Sequence, residues 1–492
     1  MRISKCVVMA LLLVAKETNS FSTVSRPKPS MCSRSKGYTP LHMSLATSSN
    51  QAMKESSPSR DDISREWESG TLLEGGHVVD FGSVKASSKA EKALAEARVK
   101  MIQSMNAHTE TSSVQATTML GINDELIKEV GHEVGSFVND AKTVQRCAAY
   151  LRSKAPAGTL ETRAEVTDKS SMSSSSSERR EFDDILDKAY EESGEVTGAF
   201  AKTFYLGTML MPEEARRAIW AIYVWCRRTD EIVDAPRESD DEMLTDLSSW
   251  EMRLENLWKY GDVEDVLDLP LLDVRIKYPK LTIEPFVDMI RGMLMDVPEL
   301  GQERYESFDE LHLYCYRVAG TVGLMSMPIF GCANGYTEEV AKEPALSLGV
   351  AFQLTNILRD IGEDASQRGR IYLPRQDMEK FGVTEEQIYA RRVDSNYINL
   401  MKFEIQRARM YYDRALRGVE MLDETARLPV QSSLDCYGKI LDKIEENGYD
   451  SLNNRAYVSK WEKFFTIPFS WYRTQDIAKT MPLPGDRPAP RH

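Results

Sequence analysis

Between residues 182 and 470, apolar side chains recur at three- and four-residue spacing in long stretches broken at Pro212, Pro236, Pro298, Pro328, Pro344 and Pro374. That is the pattern of helices that bury one face and end at proline. Strand-like alternation is nearly absent and no repeat has a fixed period. One large all-α domain over 182–470 is predicted. Ahead of it, residues 55–181 are polar, with helix-forming patches at 89–105 and 122–154. Residues 170–177 are almost pure serine and read as a flexible linker. Residues 471–492 form a tail.

The first residues carry a different signal. Arg2 and Lys5 precede an apolar run from Cys6 to Ala15, too short to span a bilayer. Residues 1–20 read as a signal peptide, with cleavage near Ser20 and Phe21. Residues 21–54 contain no Asp or Glu, while Arg26, Lys28, Arg34, Lys36 and Lys54 sit among Ser and Thr. That is transit-segment chemistry. The two in tandem predict import into a complex plastid reached through the endomembrane system, with a secreted protein as the alternative.

Composition narrows the function classes. With 42% hydrophobic and 28% charged residues, the chain can bury a large core and is not wholly disordered. A formal net charge of -14 argues against nucleic acid as a partner, which needs a basic stripe. The 7 cysteines are scattered and never spaced C-x-x-C, against a zinc module or disulfide framework and for a reducing compartment. No H-E-x-x-H, P-loop or G-x-G-x-x-G motif occurs.

The informative residues are acids in apolar helices. Residues 213–234 read EEARRAIWAIYVWCRRTDEIVD, with no polar face in the middle, yet the segment ends in Asp230, Glu231 and Asp234. Tyr223, Arg227, Asp230 and Asp234 stack on one side. Alone, this reads as readily as a solvated helix end with an ordinary Arg227–Asp230 salt bridge. A second segment changes the balance: LSLGVAFQLTNILRDIG from Leu346 places Gln353, Asn356, Asp360 and Asp364 on one face. Buried acids are costly unless paired or bound to metal. Two helices that each present Asp-x-x-x-Asp suit Mg²⁺ (or Mn²⁺) held through oxygen, with phosphate completing its shell.

Arginines complete the chemistry: Arg227 and Arg228 beside the first pair, Arg359, Arg368 and Arg370 beside the second. Guanidinium groups clamp diphosphate oxygens. Acids, metal and arginines together suit departure of diphosphate from a substrate. The carbocation left behind needs a dry aromatic pocket, for which Phe204, Tyr205, Tyr223, Tyr314 and Tyr372 are candidates. The stretch YCYRVAGTVGLMS from Tyr314 is a helix interrupted by Gly320 and Gly323. Val318, Ala319, Val322 and Gly323 would line a groove for a polyprenyl tail, or serve tight helix packing.

These motifs resemble the squalene/phytoene synthase family, and within it the phytoene synthase branch of plants and algae. The resemblance rests on KTFYLGTMLM from Lys202, RRTDEIVD from Arg227, the Tyr314 stretch, QLTNILRDIGEDASQRGRIYLP from Gln353 and RAYVSKWEKF from Arg455. It implies the all-α class I isoprenoid synthase helical bundle around a central cavity. It further implies that Asp230, Asp234, Asp360 and Asp364, with Asn356, hold the metal. Arg227 and Tyr314 would join the aspartates in catalysis. Phe204, Tyr223, Arg228, Val318, Ala319, Val322, Gly323, Gln353, Arg359, Arg370, Tyr372, Tyr437 and Arg455 would bind substrate.

The implied reaction is head-to-head coupling of two geranylgeranyl diphosphates through prephytoene diphosphate to phytoene, the first committed step of carotenoid biosynthesis. Implied partners are that substrate, a plastid membrane surface met peripherally, and other carotenoid-pathway enzymes. Arg317 departs from the pattern, standing where the family usually carries an uncharged residue; it is expected to point outward or to snorkel toward phosphate. The rivals are a squalene-type synthase using NADPH, a non-catalytic assembly factor of the same fold, and a chain-elongating prenyltransferase. The last would show D-D-x-x-D twice, and neither motif here does.

Overall fold

The computed structural model describes residues 88–108, 122–138, 140–161, 175–234, 239–297, 302 and 304–480. The signal and transit segments, most of the serine run and the end of the tail lie outside them. Among the described residues there is no strand, only isolated bridges at Arg304–Ile371 and Cys332–Leu422.

Three helices precede the predicted domain: α1 (Ser88–His108), α2 (Ile122–Val130) and α3 (Ala141–Lys154). The helix-forming patch over 122–154 is two helices. Gly131 and Gly135 take φ of +87° and +81°, where side-chained residues are strained, and Asp140 then caps α3 by accepting from the Lys142 and Thr143 amides. Leu94, Leu126, Val144, Cys147 and Leu151 of these helices are buried in the same core as the later ones.

Helix α4 (Ser176–Phe200) begins inside the predicted linker: Ser175 and Glu178 form a reciprocal capping box. There follow α5 (Lys202–Thr208), α6 (Glu213–Asp234), α7 (Asp240–Tyr260), α8 (Asp268–Lys277) and α9 (Glu284–Leu294). As its composition requires, α6 is buried nearly all round from Ala218 to Val233. Its Trp225 stacks 6.0 Å from Trp250 of α7 and meets Phe286 of α9 edge-on at 4.8 Å.

Of the two glycines expected to interrupt the helix of the Tyr314 stretch, Gly320 ends an irregular turn and Gly323 lies within a regular helix. Helix α10 (Phe308–Cys315) passes through a π-helical turn at Tyr316–Gly320 into α11 (Thr321–Phe330). Helix α12 (Glu338–Arg368), the longest, runs from a Thr337 cap to Gly369 at φ +66°. Then come α13 (Arg375–Lys380), α14 (Glu385–Tyr389), α15 (Ser395–Val419), α16 (Glu424–Glu446) and α17 (Lys460–Thr480). Both α6 and α12, the acid-bearing helices, pack against α11. The five cysteines among the described residues are free thiols.

Close approach of α11 to α12 is set by missing side chains. A Cβ on Gly323 would stand 2.5 Å from the Ala345 carbonyl oxygen, and one on Gly349 would strike the Ala319 carbonyl. Gly323→Ala should therefore lower stability by about 1–3 kcal/mol, read as a lower urea midpoint at unchanged slope.

His312 of α10 lies between Phe308 and Tyr411, with ring centroids 5.9 and 5.6 Å away. Burial, aided by the Arg414 charge, pushes its pKa down from 6.5 to about 4. The unfolded chain takes up that proton near 6.5 and the folded chain only near 4, so this residue's contribution is present above 6.5 and drains away as pH falls through 4. His312→Gln should flatten the loss of stability over that interval in urea titrations at stepped pH.

Candidate active site

The first polar group sits on α6. Tyr223, Arg227 and Asp230 are all buried. Arg227 lies 3.2 Å from Glu231, one turn on, with its guanidinium 4.1 Å above the Phe200 ring. The Phe204 and Tyr223 rings are 5.7 Å apart, and burial drives the Tyr223 pKa far above its ordinary value. The Tyr223 hydroxyl has no hydrogen-bond partner among the described residues. Asp234 closes α6; its side chain lies outside the described residues.

The second group is on α12. Gln353, Asn356 and Asp364 are buried, and Asn356 Nδ2 donates to the side-chain Oε1 of Gln353 at 3.5 Å. The Gln353 amide nitrogen has no partner among the described residues, nor has one terminal nitrogen of Arg359. Asp360 accepts from Arg359 Nε at 2.7 Å and from Arg455 Nε and Nη2 at 2.7 and 3.1 Å. Burial opposes its charge, but the two guanidinium groups outweigh burial and hold the carboxyl at about 2. One turn on, Asp364 behaves oppositely. Burial lifts it to about 7 against the Arg368 guanidinium 3.0 Å away, and the charges of Asp360, Asp296 and Glu363 add to the rise.

A third acid, Asp296, was not singled out from the sequence. It follows α9, is almost fully buried, and accepts from the hydroxyls of Tyr314 at 2.7 Å and Tyr372 at 2.9 Å while pairing with Arg370. Tyr305, also missed, completes a ring cluster: centroids lie 5.6 Å from Tyr314 and 5.9 Å from Tyr372, which are themselves 5.3 Å apart. The signal was present. Asp296 is a lone acid in the apolar run MLMDV, the same anomaly that marks Asp230 and Asp360.

Helix α11, on which both acid-bearing helices pack, lines an apolar slot of about 70 Å³. Its walls are Phe204, Thr208 and Met211 with α5, Ala319, Val322, Gly323 and Phe330 of the broken helix, Leu348 and Phe352 of α12, and Pro429, Val430 and Ser433 of α16. Gly323 thus serves both roles weighed for it, lining the groove and admitting the neighbouring helix. Tyr437 stands behind the wall, stacked 4.3 Å from Phe352.

Other candidates are placed elsewhere. Val318 packs on Gly292 of α9 rather than lining the slot. Arg228 faces away from the acids of α6, pairing with Asp265 and with Asp268 at 3.3 Å, its guanidinium 4.9 Å from the Trp250 ring. It emerges about 100° round the helix from Arg227, which is why adjacent arginines part company. Arg317 does not point to solvent. It is mostly buried and donates to Glu91 of α1 at 2.7 Å.

Among the described residues no three His, Cys, Asp or Glu side chains gather as a metal cage. The donor set nevertheless fits Mg²⁺, which is held by one or two carboxylates and keeps positions for water and phosphate oxygen. The buried donors left over on Tyr223, Gln353 and Arg359 fit the oxygens of such an anion.

The helical bundle, with buried acids on two helices that share a slot-lining neighbour, has the all-α isoprenoid synthase fold. A solved dehydrosqualene synthase shares this fold, with TM-score 0.54 and 27% identity over 60% of this chain and 99% of that one. Residues 197–462 match the squalene/phytoene synthase family, and the chain belongs to it. A 15-cis-phytoene synthase of Synechococcus elongatus is 49% identical over 58% of this chain and 94% of its own length. A chloroplastic phytoene synthase 2 of Solanum lycopersicum is 50% identical over 61% of this chain and 95% of its own.

Asp296→Ala would leave the Arg370 guanidinium buried without its counter-charge, at a cost of about 3–5 kcal/mol. Tyr372→Phe removes one hydrogen bond to the same carboxylate and should cost about 1.5–3 kcal/mol. Denaturant midpoints of the two variants, ranked in that order, check the assignment of Asp296 as the hub.

Proposed function

We propose that the chain is a phytoene synthase, coupling two geranylgeranyl diphosphates head to head without a reductant. The observation that carries this reading is a pair of helices with buried acids that both pack on the helix lining an apolar slot. Identities near 50% to proteins named as phytoene synthases support the same substrate and product.

In this reading one substrate loses diphosphate, and the allylic cation is captured by a double bond of the second. Loss of a proton closes the cyclopropane of prephytoene diphosphate. A second departure of diphosphate, rearrangement and another proton loss give phytoene. Asp230, Asp234, Asp360 and Asp364, with Asn356, would hold Mg²⁺ or Mn²⁺, which when bound neutralises the charge on the leaving diphosphate. Arg227 and Arg359 bind diphosphate oxygen, while Arg455 fixes the Asp360 carboxylate. Phe204, Tyr223 and Tyr314 face cationic carbon with π electrons. Ala319, Val322 and Gly323 seat a polyprenyl tail and exclude water.

The plant relatives are named as chloroplastic, and the basic, acid-free stretch over 21–54 supports a plastid as the workplace. Delivery through a tandem leader, and loose attachment to the plastid membrane where substrate and product dissolve, belong to the same reading.

Purified protein with geranylgeranyl diphosphate and Mg²⁺ should form phytoene whether or not NADPH is present. A reduced product seen only with NADPH would instead make it a squalene-type enzyme. Asp230→Ala and Asp360→Ala should each lower turnover by about 10²–10³-fold or more, with helical circular dichroism retained. Full activity in either variant removes that aspartate from the mechanism.

A further inference from the structure

Helix α17 is packed the reverse of what water would select. Its residues divide into a polar stripe containing Glu462, Thr466, Ser470 and Arg473, and a broad aromatic face. The polar stripe holds it to the bundle. Thr466 accepts from Lys439 at 2.8 Å, Ser470 donates to Asp435 at 2.6 Å, Arg473 pairs with Asp435, and Glu462 pairs with Lys443 at 2.7 Å. The aromatic face is left outside: Trp461, Phe464, Phe465, Phe469, Trp471 and Tyr472 are each between 53% and 73% exposed. A surface helix ordinarily turns its apolar stripe to the core, and an exposed apolar patch of this kind marks an interaction surface.

Two observations identify the occupant. The face is built of Trp, Phe and Tyr, the side chains that settle at the boundary between lipid headgroups and acyl chains, on a helix of 21 residues that is not apolar enough to cross a membrane. Its position matters equally. Helix α17 packs on α16, whose Pro429, Val430 and Ser433 wall the apolar slot. Helix α5 and the turn after it, which also line the slot and contact α16, expose Leu206, Met209 and Leu210. Two neighbouring elements of the slot's lining thus lie beside apolar side chains turned to the surroundings.

We propose that α17 lies in the interface of a lipid bilayer, aromatic face down, and holds the slot against the membrane that supplies the polyprenyl substrate and takes the hydrocarbon product. This names the surface for the membrane attachment in the functional reading and rests on it for the choice of cargo.

The test is flotation of the full chain with phosphatidylcholine vesicles, repeated in high salt and with phosphatidylglycerol added. The wild-type chain should float with neutral vesicles, keep doing so in high salt, and shift its tryptophan emission to the blue. Phe464→Ser/Phe465→Ser/Phe469→Ser, which keeps Trp461 and Trp471 as reporters, should lose vesicle partition by at least about tenfold with an unchanged melting temperature. Trp461→Ser should show a smaller loss, and it decides the matter if the triple variant melts early. Equal flotation of the variants, or no flotation of the wild type, overturns the proposal. So does a dimer in sedimentation that the triple variant fails to form, which makes the face a contact between copies. Turnover of detergent-dispersed geranylgeranyl diphosphate, measured alongside, should be equal in wild type and triple variant. Flotation needs no turnover, so an inactive chain that floats counts against the enzymatic reading and leaves the lipid surface standing.

Discussion

A carboxylate taken out of water into a helix bundle must find compensating charge or give up its own, and the interior of this protein is organised around that requirement. Asp360 keeps its charge because Arg359 and Arg455 reach it from its own helix and from the segment before α17. Asp296 sits in the grip of Arg370 and two tyrosine hydroxyls. Asp364, with a single arginine and three acids nearby, is pushed toward neutrality instead. Neighbouring acids in this interior thus meet different surroundings, Asp360 two guanidinium groups and Asp364 one.

The arginines that compensate these charges come from distant parts of the chain, and so define which helices must be in place together. Arg370 follows α12 and its partner follows α9, while Arg455 lies beyond α16. The same device extends to the amino-terminal helices. Arg98 of α1 forms a two-pronged pair with Glu255 of α7 at 2.9 and 2.6 Å, and Glu91 neutralises Arg317 beside the π-helical turn. The unusual arginine in an otherwise apolar stretch is thus matched by an acid some 226 residues earlier. Helix α1 covers a charge that would otherwise lie buried against Met295.

Apolar packing supplies the second half of the design. Small residues at Ala319, Gly323, Ala345 and Gly349 let the broken helix and α12 meet backbone to backbone, and the same four residues are part of the slot's lining. Its far wall carries α17, where the rule of apolar inside and polar outside is inverted. A protein that handles molecules soluble in lipid and leaving groups soluble in water has reason to present both kinds of surface within one helix bundle.

The sequence by itself determined the all-α class, the two acid-bearing helices, the break near Gly320 and the family. Each rests on local periodicity, or on residue types whose burial in their own helix is anomalous. That Phe204, Ala319, Val322 and Gly323 share one apolar lining was legible too, whereas Tyr205, Tyr223, Tyr314 and Val318, named with them, stand outside it. Only the tertiary structure decided which partner each charge meets. Arg227 and Arg228 are adjacent in sequence, yet one stays beside the acids of α6 and the other braces α7 and α8. Arg317, Asp296 and Tyr305 acquire their roles from contacts made across tens to hundreds of residues. Periodicity reports which side of a helix is wet or dry; it carries no record of what stands opposite, and electrostatic compensation depends on that alone.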